Sequence, residues 1–314
     1  MGRSMPKAPD LATLSAQDLQ AAAPHDLSDH LEHGRIVLFS TSPIELPSAA
    51  DLDFLRSQLP SHISLKNISY YPEADRVYGL TADRAVAERT TRILKEHHRR
   101  VEAFLRARIP ALMPHCTPGT TSFRPLQERG RNLSKHASNE LLHIDAGAYG
   151  ATHGARIFRF FTNINPAEAR VWRVRGTFPD LLEEYGHAAG VTNGGTRGDF
   201  LRESLFDRMY SGLVRGVSTL IPIARSIDSS PYDRAMRRFH NFMKESGDFQ
   251  AGEDGSRIIE FGPMTSWMVF TDMVGHSCIS GQHMLSNTYL MPRENCRHQE
   301  LTPYACLVRG VSAR

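Results

Sequence analysis

The spacing of apolar residues predicts three helices. The longest amphipathic pattern covers residues 81–108, where apolar side chains share one stripe and charged side chains fill the other positions. Thr81 or Asp83 can cap the start of this helix. Shorter patterns of the same kind predict helices over residues 51–58 and 232–244.

Short apolar runs bounded by glycine, proline or polar residues predict β-strands in the rest of the chain. These runs are residues 35–39, 64–71, 122–125, 141–145, 156–164, 257–261, 266–271, 278–279, 283–291 and 304–308. From residue 120 onward, roughly eight short strands around a helical insertion are typical of a double-stranded β-helix, the cupin-like jelly roll. We therefore predict a mixed α+β protein with this fold, N-terminal helices and a helical insertion.

The same pattern predicts how the chain is organised. Residues 1–25 are rich in Ala, Pro, Ser and Asp and are predicted to be a flexible leader, and residues 26–314 a single domain. The domain would comprise an α/β N-terminal part, two groups of jelly-roll strands and a helical insertion. Their predicted bounds are 26–119 for the first part, 120–178 and 248–314 for the strands, and 179–247 for the insertion.

Composition restricts the class of protein. Of the 314 residues, 40% are hydrophobic and 23% charged, as in an ordinary globular protein. The formal charge of +3 is too small to indicate a nucleic-acid partner. Four widely spaced cysteines indicate neither a zinc site nor a disulfide framework, so a reducing compartment is expected. Since no apolar stretch reaches the about 20 residues of a membrane span, we predict a cytoplasmic protein.

The clearest chemical motif is His143 and Asp145 on either side of an apolar Ile144. Side chains two residues apart on a strand project to the same face, so these two could bind one ion. A second histidine from another strand would complete a two-His-one-carboxylate triad, which leaves positions open for chemistry on ferrous iron. His276, which follows a predicted tight turn, is the expected third ligand. The same tripeptide also occurs on ordinary half-exposed strands.

Four other residues compete for the third ligand position. His283 lies seven residues beyond His276 and is expected on the next strand. His153 lies on a glycine-rich loop and His240 on a predicted helix. Asp272 could bind metal, although capping of a turn is the favoured role for it.

An iron enzyme of this type also needs a cation that holds the distal carboxylate of 2-oxoglutarate. The planar fork of arginine suits this role, but residues 282–291 contain no arginine or lysine. The predicted strand 156–164 supplies Arg159 as the first choice and Arg156, on the other face, as the second. The alternative for Arg159 is an internal salt bridge to an acid such as Glu260, because a charge inside an apolar strand needs a partner.

A series of short motifs, in order along the chain from about Arg35, matches one known family. The matching stretches are residues 66–70, 121–125, 142–146, 152–159, 161–166, 170–172, 232–233, 238–244, 266–267, 270–276 and 280–282. On these residues the chain resembles the Kdo hydroxylases, which are Fe(II)/2-oxoglutarate-dependent dioxygenases that act on the inner core of lipopolysaccharide.

The resemblance implies hydroxylation of 3-deoxy-octulosonic acid (Kdo) at its C3 methylene to give the sugar Ko. The cofactors and cosubstrates it implies are Fe(II), 2-oxoglutarate and O2, with succinate and CO2 as products. Candidates for binding the acidic substrate, unless they are ordinary surface arginines, are Arg124, Arg131, Arg170 and Arg173. The expected substrate is Kdo-containing lipid A or lipopolysaccharide inner core, and its amphiphilic nature suggests peripheral contact with the cytoplasmic face of the inner membrane.

Two other functions stay open at this point. The first is an oxygenase of the same fold that acts on another small molecule or on a protein side chain. The second is a non-catalytic jelly roll that binds an anionic glycan without turnover.

Overall fold

The computed structural model describes residues 7–23, 25–147, 150–192 and 230–312. Among these residues, strands β1 to β11 are Leu11–Leu14, Ile36–Phe39, Ile68–Tyr71, Arg76–Tyr78, Thr117–Arg124, Arg156–Asn163, Arg170–Thr177, Ser256–Phe261, Ser266–Phe270, Val274–Ser280 and Met284–Met291. Helices α1 to α8 are Ala16–Ala21, Asp26–Glu32, Ala49–Asp53, Arg84–Arg108, Phe178–Tyr185, Pro231–Glu245, Gly247–Ala251 and Pro303–Ser312.

The strands form two sheets. The larger has the order β1-β2-β9-β6-β11-β5-β3-β4, and the smaller has the order β10-β7-β8. Aromatic rings join the sheets, because Trp172 of β7 meets Phe161 of β6 and Trp267 of β9 edge to face at 5.1 and 5.6 Å between ring centres. Two sheets packed face to face, with helices beside them, form the predicted mixed α+β double-stranded β-helix.

Strand β6 lies in the middle of the larger sheet, and all of its residues are buried. Because side chains alternate along a strand, Phe160 and Phe161 project to opposite faces. Phe160 packs against Phe104 of α4, with ring centres 5.8 Å apart, whereas Phe161 meets Trp172 of the smaller sheet. Arg159 shares the face of Phe161 and therefore projects into the space between the sheets.

The two long predicted helices are confirmed, and each has a cap. The Asp83 carboxylate accepts a backbone N–H from the first turn of α4 at 2.9 Å, as expected for an N-cap residue. Helix α6 begins with a capping box between Ser230 and Asp233. The predicted helix over 51–58 is a short α-helix that continues as a π turn.

The predicted flexible leader is wrong for residues 11–21, which form β1 and α1. Strand β1 pairs in parallel with β2, and Leu11 lies opposite Ile36. Ser15 caps α1 in a box with Asp18. An edge strand of four residues is too short to give a clear alternation in sequence, and only its partner β2 makes it recognisable.

Other differences follow from short or interrupted patterns. Residues 304–308 were predicted to be a strand but lie in α8, because a short apolar run does not distinguish a strand from a helix. Residues 141–145 make one isolated bridge instead of a strand. Strand β7 was not predicted, since its three arginines interrupt the apolar run. Within the predicted insertion, residues 193–229 lie outside the described part of the chain.

Candidate metal and substrate site

His143 and His276 lie directly opposite each other in an isolated antiparallel bridge. The backbone N–H of each residue donates to the carbonyl of the other, at 3.0 and 2.8 Å. Asp145 is held in the same segment by its backbone N–H, which donates to the Thr271 carbonyl at 2.8 Å. Candidate ligand atoms of the two histidines and Asp145 all lie within 4.8 Å of one another. The structure thus brings the predicted triad together.

Both histidines present Nε2 as the free ring atom. His143 Nδ1 lies 2.6 Å from the Leu141 carbonyl, and His276 Nδ1 lies 2.9 Å from the Val274 carbonyl. Because a carbonyl oxygen can only accept, Nδ1 carries the proton in each ring and Nε2 keeps its lone pair. Hydrogen bonds of this kind orient the imidazoles that ligate metals.

The protonation states suit a metal cation. Burial lowers the pKa of His143 to about 3 and also lowers that of His276, so both rings are neutral near pH 7. Burial alone would raise the pKa of Asp145, but Arg159 and His143 lower it well below its usual value. Two neutral imidazoles and one carboxylate are the ligand set of a facial iron triad. The residues present therefore fit ferrous iron.

The competing ligands lie elsewhere or have other roles. His283 stacks on Phe123, with ring centres 6.3 Å apart, and does not line the cavity that contains the triad. The His153 carbonyl accepts from Arg293 on a loop. His240 lines the same cavity, with its Nδ1 donating to the Ile144 carbonyl at 2.6 Å, but it is not in the group of ligand atoms that lie within 4.8 Å of one another. The main contact of Asp272 is a buried salt bridge to Arg156. The turn-capping role favoured from the sequence is therefore not its main one. 

The triad lies in the wall of a cavity of about 430 Å³ between the sheets and α6. Among the described residues, the charged side chains of this wall comprise one carboxylate and five cations. The carboxylate is Asp145, and the cations are Lys66, Arg124, Arg159, Arg170 and Lys244. A cavity with this excess of positive charge favours anionic ligands.

The two arginines predicted to anchor 2-oxoglutarate have different surroundings. Arg159 lines the cavity, and its Nε lies 2.8 Å from Asp145 Oδ2, so its acidic partner is Asp145 instead of Glu260. Arg156 does not line the cavity. It is buried in a salt bridge of 2.8 Å to Asp272 and lies over the Phe270 ring. Arg156 therefore lies away from the cavity that contains the triad, because residues three apart on a strand face opposite sides.

Three of the four predicted substrate arginines surround one buried acid, Glu128. Arg170 lies 3.1 Å from the Glu128 carboxylate, Arg124 lies 3.6 Å from it and Arg131 lies 3.8 Å from it. Burial alone would raise the pKa of Glu128, but Arg124 and Arg170 lower it to about 2. Arg124 and Arg170 line the cavity, whereas Arg131 lies behind the wall and donates to the Lys66 carbonyl.

Arg173, the fourth predicted substrate arginine, does not line the cavity. Its guanidinium donates to the carbonyls of Gln250 and Gly252 and to the Ser256 hydroxyl. Arg173 lies three residues after Arg170 on β7 and therefore projects to the other face of the strand.

The sequence patterns did not identify several residues of the wall. Trp172 stacks on His276 with ring centres 5.0 Å apart, and its spacing of two from Arg170 on β7 could have indicated a shared face. Lys244 lies four residues after His240 on α6, which places both on one side of that helix. Lys66 had no comparable signal, since it precedes β3 in a loop.

Two facing sheets with a His-Asp-His triad between them define the class of protein as a jelly roll with a facial metal site. The chain belongs to the 3-deoxy-D-manno-oct-2-ulosonic acid (Kdo) hydroxylase family, whose model matches residues 15–313. This match confirms the resemblance predicted from the sequence. A search of curated proteins finds no match to this chain.

Similar solved structures agree with this membership. One is the Kdo hydroxylase KdoO, a non-heme Fe(II) alpha-ketoglutarate dependent dioxygenase, in complex with alpha-ketoglutarate and Fe(III), at 24% identity, TM-score 0.77 and 96% coverage of both chains. Others are KdoO with cobalt(II), at 25% identity and TM-score 0.77, and KdoO with succinate and Fe(III), at 25% identity and TM-score 0.75, each with 96% coverage of both chains.

Proposed function

We propose that this protein hydroxylates the Kdo sugar at C3 in the lipopolysaccharide inner core, with Fe(II), 2-oxoglutarate and O2, and releases succinate and CO2. The observation that carries the proposal is the buried His143-Asp145-His276 triad in a cationic cavity, in a chain of the Kdo hydroxylase family. KdoO is described as a dioxygenase of this type, and its structures contain alpha-ketoglutarate, succinate or iron.

In this proposal, Nε2 of His143, Nε2 of His276 and the Asp145 carboxylate hold the iron. Bound iron, together with O2 and 2-oxoglutarate, supplies the oxidation of the sugar carbon. The protein fixes the ligand geometry through the backbone bridge between the two histidines. Burial of both rings, at 5% and 7% exposure, limits access of bulk water to the reacting atoms.

For the distal carboxylate of 2-oxoglutarate we propose Arg159, since it lines the same cavity as the triad and lies beside Asp145. Arg124 is the alternative. Its nearest acid, Glu128, is 3.6 Å away, and its buried Nε has no hydrogen-bond partner among the described residues. Either guanidinium could bind a carboxylate through two parallel hydrogen bonds.

We also propose that the cavity opens toward a membrane surface from which the lipid-linked substrate enters, on the cytoplasmic side. The described residues contain no helix with the length and apolar character needed to cross a bilayer. Four exposed apolar side chains, which we call the apolar rim, support peripheral contact. They are Leu65, Tyr71, Tyr78 and Leu126, with exposed fractions of 65%, 37%, 43% and 38%. Tyr71 lines the cavity, and Leu65 precedes the lining residue Lys66.

The test is incubation of the protein with Kdo-containing lipid A, Fe(II), 2-oxoglutarate and O2, followed by mass spectrometry of the product. We expect a gain of one oxygen confined to the Kdo residue, formation of succinate, and loss of both in the His143→Ala variant. Succinate without a mass shift on Kdo would favour an oxygenase with another acceptor. Binding of the glycan without any succinate would favour the non-catalytic jelly roll.

A further inference from the structure

Two of the five cations in the cavity wall have no salt bridge among the described residues. Arg124 and Arg170 are paired with Glu128, and Arg159 with Asp145. Lys66 and Lys244 line the same cavity, and no carboxylate of the described residues lies within 4.0 Å of either ammonium. An unpaired charge inside a protein is costly to keep, and Lys244 is only 4% exposed.

Both lysines hold one turn of the chain, residues 136–139. Lys66 Nζ donates to the Ala137 carbonyl and, at 2.9 Å, to Asn139 Oδ1. Lys244 Nζ donates to the His136 carbonyl at 2.8 Å and to the Ser138 carbonyl at 2.9 Å. An ammonium has three donors, so each lysine keeps one N–H without a partner among the described residues. An anion could accept both remaining donors while the turn stays in place.

The charge balance of the cavity also favours a further anion. The five cations of the wall outnumber Asp145 and Glu128, the two acids that pair with them. Iron(II) and the 2-oxoglutarate dianion carry equal and opposite charges, so their joint binding leaves this excess unchanged. The excess positive charge of the cavity wall can therefore interact with an anionic group of the acceptor substrate.

We propose that Lys66 and Lys244 form a two-lysine site for an anionic group of the acceptor, and so select an acidic sugar over a neutral one. This inference rests on the proposed function. In the acceptor sugar the carboxylate carbon is separated from C3 by a single carbon. A site that fixes the carboxylate therefore also fixes the position of C3 relative to the triad. A phosphate on the lipid part of the acceptor has the same chemistry and is the other possible source.

The first experiment compares Lys66→Met and Lys244→Met with the wild type. Methionine keeps much of the side-chain volume and removes the charge. Lys135→Met is the matched control, because Lys135 is exposed in the first part of this turn and lies outside the cavity wall. We expect the KM for the acceptor to rise about tenfold or more in each variant, since a hydrogen bond to a charged group is involved. In both variants the KM for 2-oxoglutarate should stay within about twofold of the wild-type value. In the Lys135→Met control the KM for the acceptor should also stay within about twofold of that of the wild type.

The second experiment separates anion binding from support of the turn. Wild type and variants are tested with three acceptors, which are the natural one, its carboxamide analogue and its dephosphorylated form. If the lysines bind the carboxylate, the carboxamide weakens the wild type about tenfold but has little further effect in the variants. The same pattern with the dephosphorylated form assigns phosphate as the anion. If neither analogue is coupled to the lysines, the inference is wrong.

A binding measurement keeps this inference separate from the proposed function. The free sugar acid is titrated into the protein by calorimetry without oxygen, with Lys66→Arg and Lys244→Arg as charge-retaining variants. Binding to wild type that weakens in the methionine variants and is restored at least partly by arginine supports the site, even if no hydroxylation is ever observed. Equal binding to wild type and methionine variants would overturn it, whether or not the enzyme turns over.

Discussion

His143 and His276 each donate a backbone N–H to the other's carbonyl, and so face each other across a single bridge. The side chains of a directly opposed pair lie close together on one face, and these two rings are 4.8 Å apart between their centres. The geometry of the metal ligands therefore depends on the backbone, which brings two segments far apart in sequence into register.

The bridge predicts that His276, and no other late histidine, completes the iron site. His276→Ala should weaken binding of Fe(II) or cobalt(II) by more than the about 10–100-fold that loss of an outer-sphere partner causes. His283→Ala is the control, because His283 stacks on Phe123 outside the triad. Anaerobic titration followed by cobalt absorption measures both affinities. Retained affinity in the His276 variant would remove it from the ligand set.

Arg159 is predicted to affect 2-oxoglutarate binding. Arg159→Met should raise the KM for 2-oxoglutarate at least about tenfold, since a charge-assisted hydrogen bond is lost. The KM for the acceptor should change much less. The same measurement on Arg124→Met distinguishes the two candidates. If only Arg124→Met raises the KM for 2-oxoglutarate, Arg124 is the anchor and the Arg159 assignment is wrong.

Arg156, by contrast, is predicted to affect stability. Its guanidinium and the Asp272 carboxylate are each 1% exposed and lie 2.8 Å apart. Removal of one partner of a buried pair leaves the other charge uncompensated and typically costs about 3–5 kcal/mol of unfolding free energy. Urea unfolding of Arg156→Met should show a loss of this size. A normal unfolding midpoint together with a raised KM for 2-oxoglutarate would restore Arg156 to the active site.

Two ligands of the metal triad could be predicted from the sequence because their signal is local. His143 and Asp145 are two residues apart, and the periodicity of an extended chain is enough to place them together. The pair of Glu128 with Arg170 has no such signal, since the two residues lie 42 positions apart in sequence and meet only through the packing of β7 beside the loop after β5. The salt bridge between Arg159 and Asp145 likewise depends on the path of the chain between strands.

The sequence alone also could not show which arginine of β6 lies at the cavity and which has a structural role. Alternation along β6 correctly places Arg156 and Arg159 on opposite faces, but it does not say which face borders the cavity. The helices beside the larger sheet decide that, since Phe104 of α4 packs on the face of Phe160. The sequence pattern predicts which side chains share a face of a strand, and tertiary packing determines what lies against that face.

The two-lysine site predicts a pH dependence of acceptor binding. Burial, with Arg124 as the next cause, lowers the pKa of Lys66 to about 7, and burial lowers the pKa of Lys244 to about 8. The charged groups that act on the two lysines include Arg124, Arg131, Glu128 and Asp145.

Below the pKa values of Lys66 and Lys244 the two ammonium groups are charged and attract an anion, and above these values they become neutral. The KM for the acceptor should therefore rise between about pH 7 and pH 9, while Lys66→Met and Lys244→Met should show a flatter profile. Identical profiles in wild type and variants would contradict the prediction.

The apolar rim is predicted to contact the bilayer that carries the substrate. Leu65→Asp and Leu126→Asp each place a charge in the apolar rim, and both should reduce co-sedimentation with vesicles that contain anionic lipid, because less apolar area is buried in the interface. Ile258→Asp is the matched control, since Ile258 is 52% exposed on β8, in the smaller sheet and outside the cavity wall.

The rim variants should also act normally on a short, water-soluble Kdo acceptor, because the triad and the lysines are unchanged. Loss of vesicle binding in the Ile258 variant alone would place the membrane contact on the smaller sheet, and equal binding by all three variants would argue that the substrate reaches the cavity without docking of the rim.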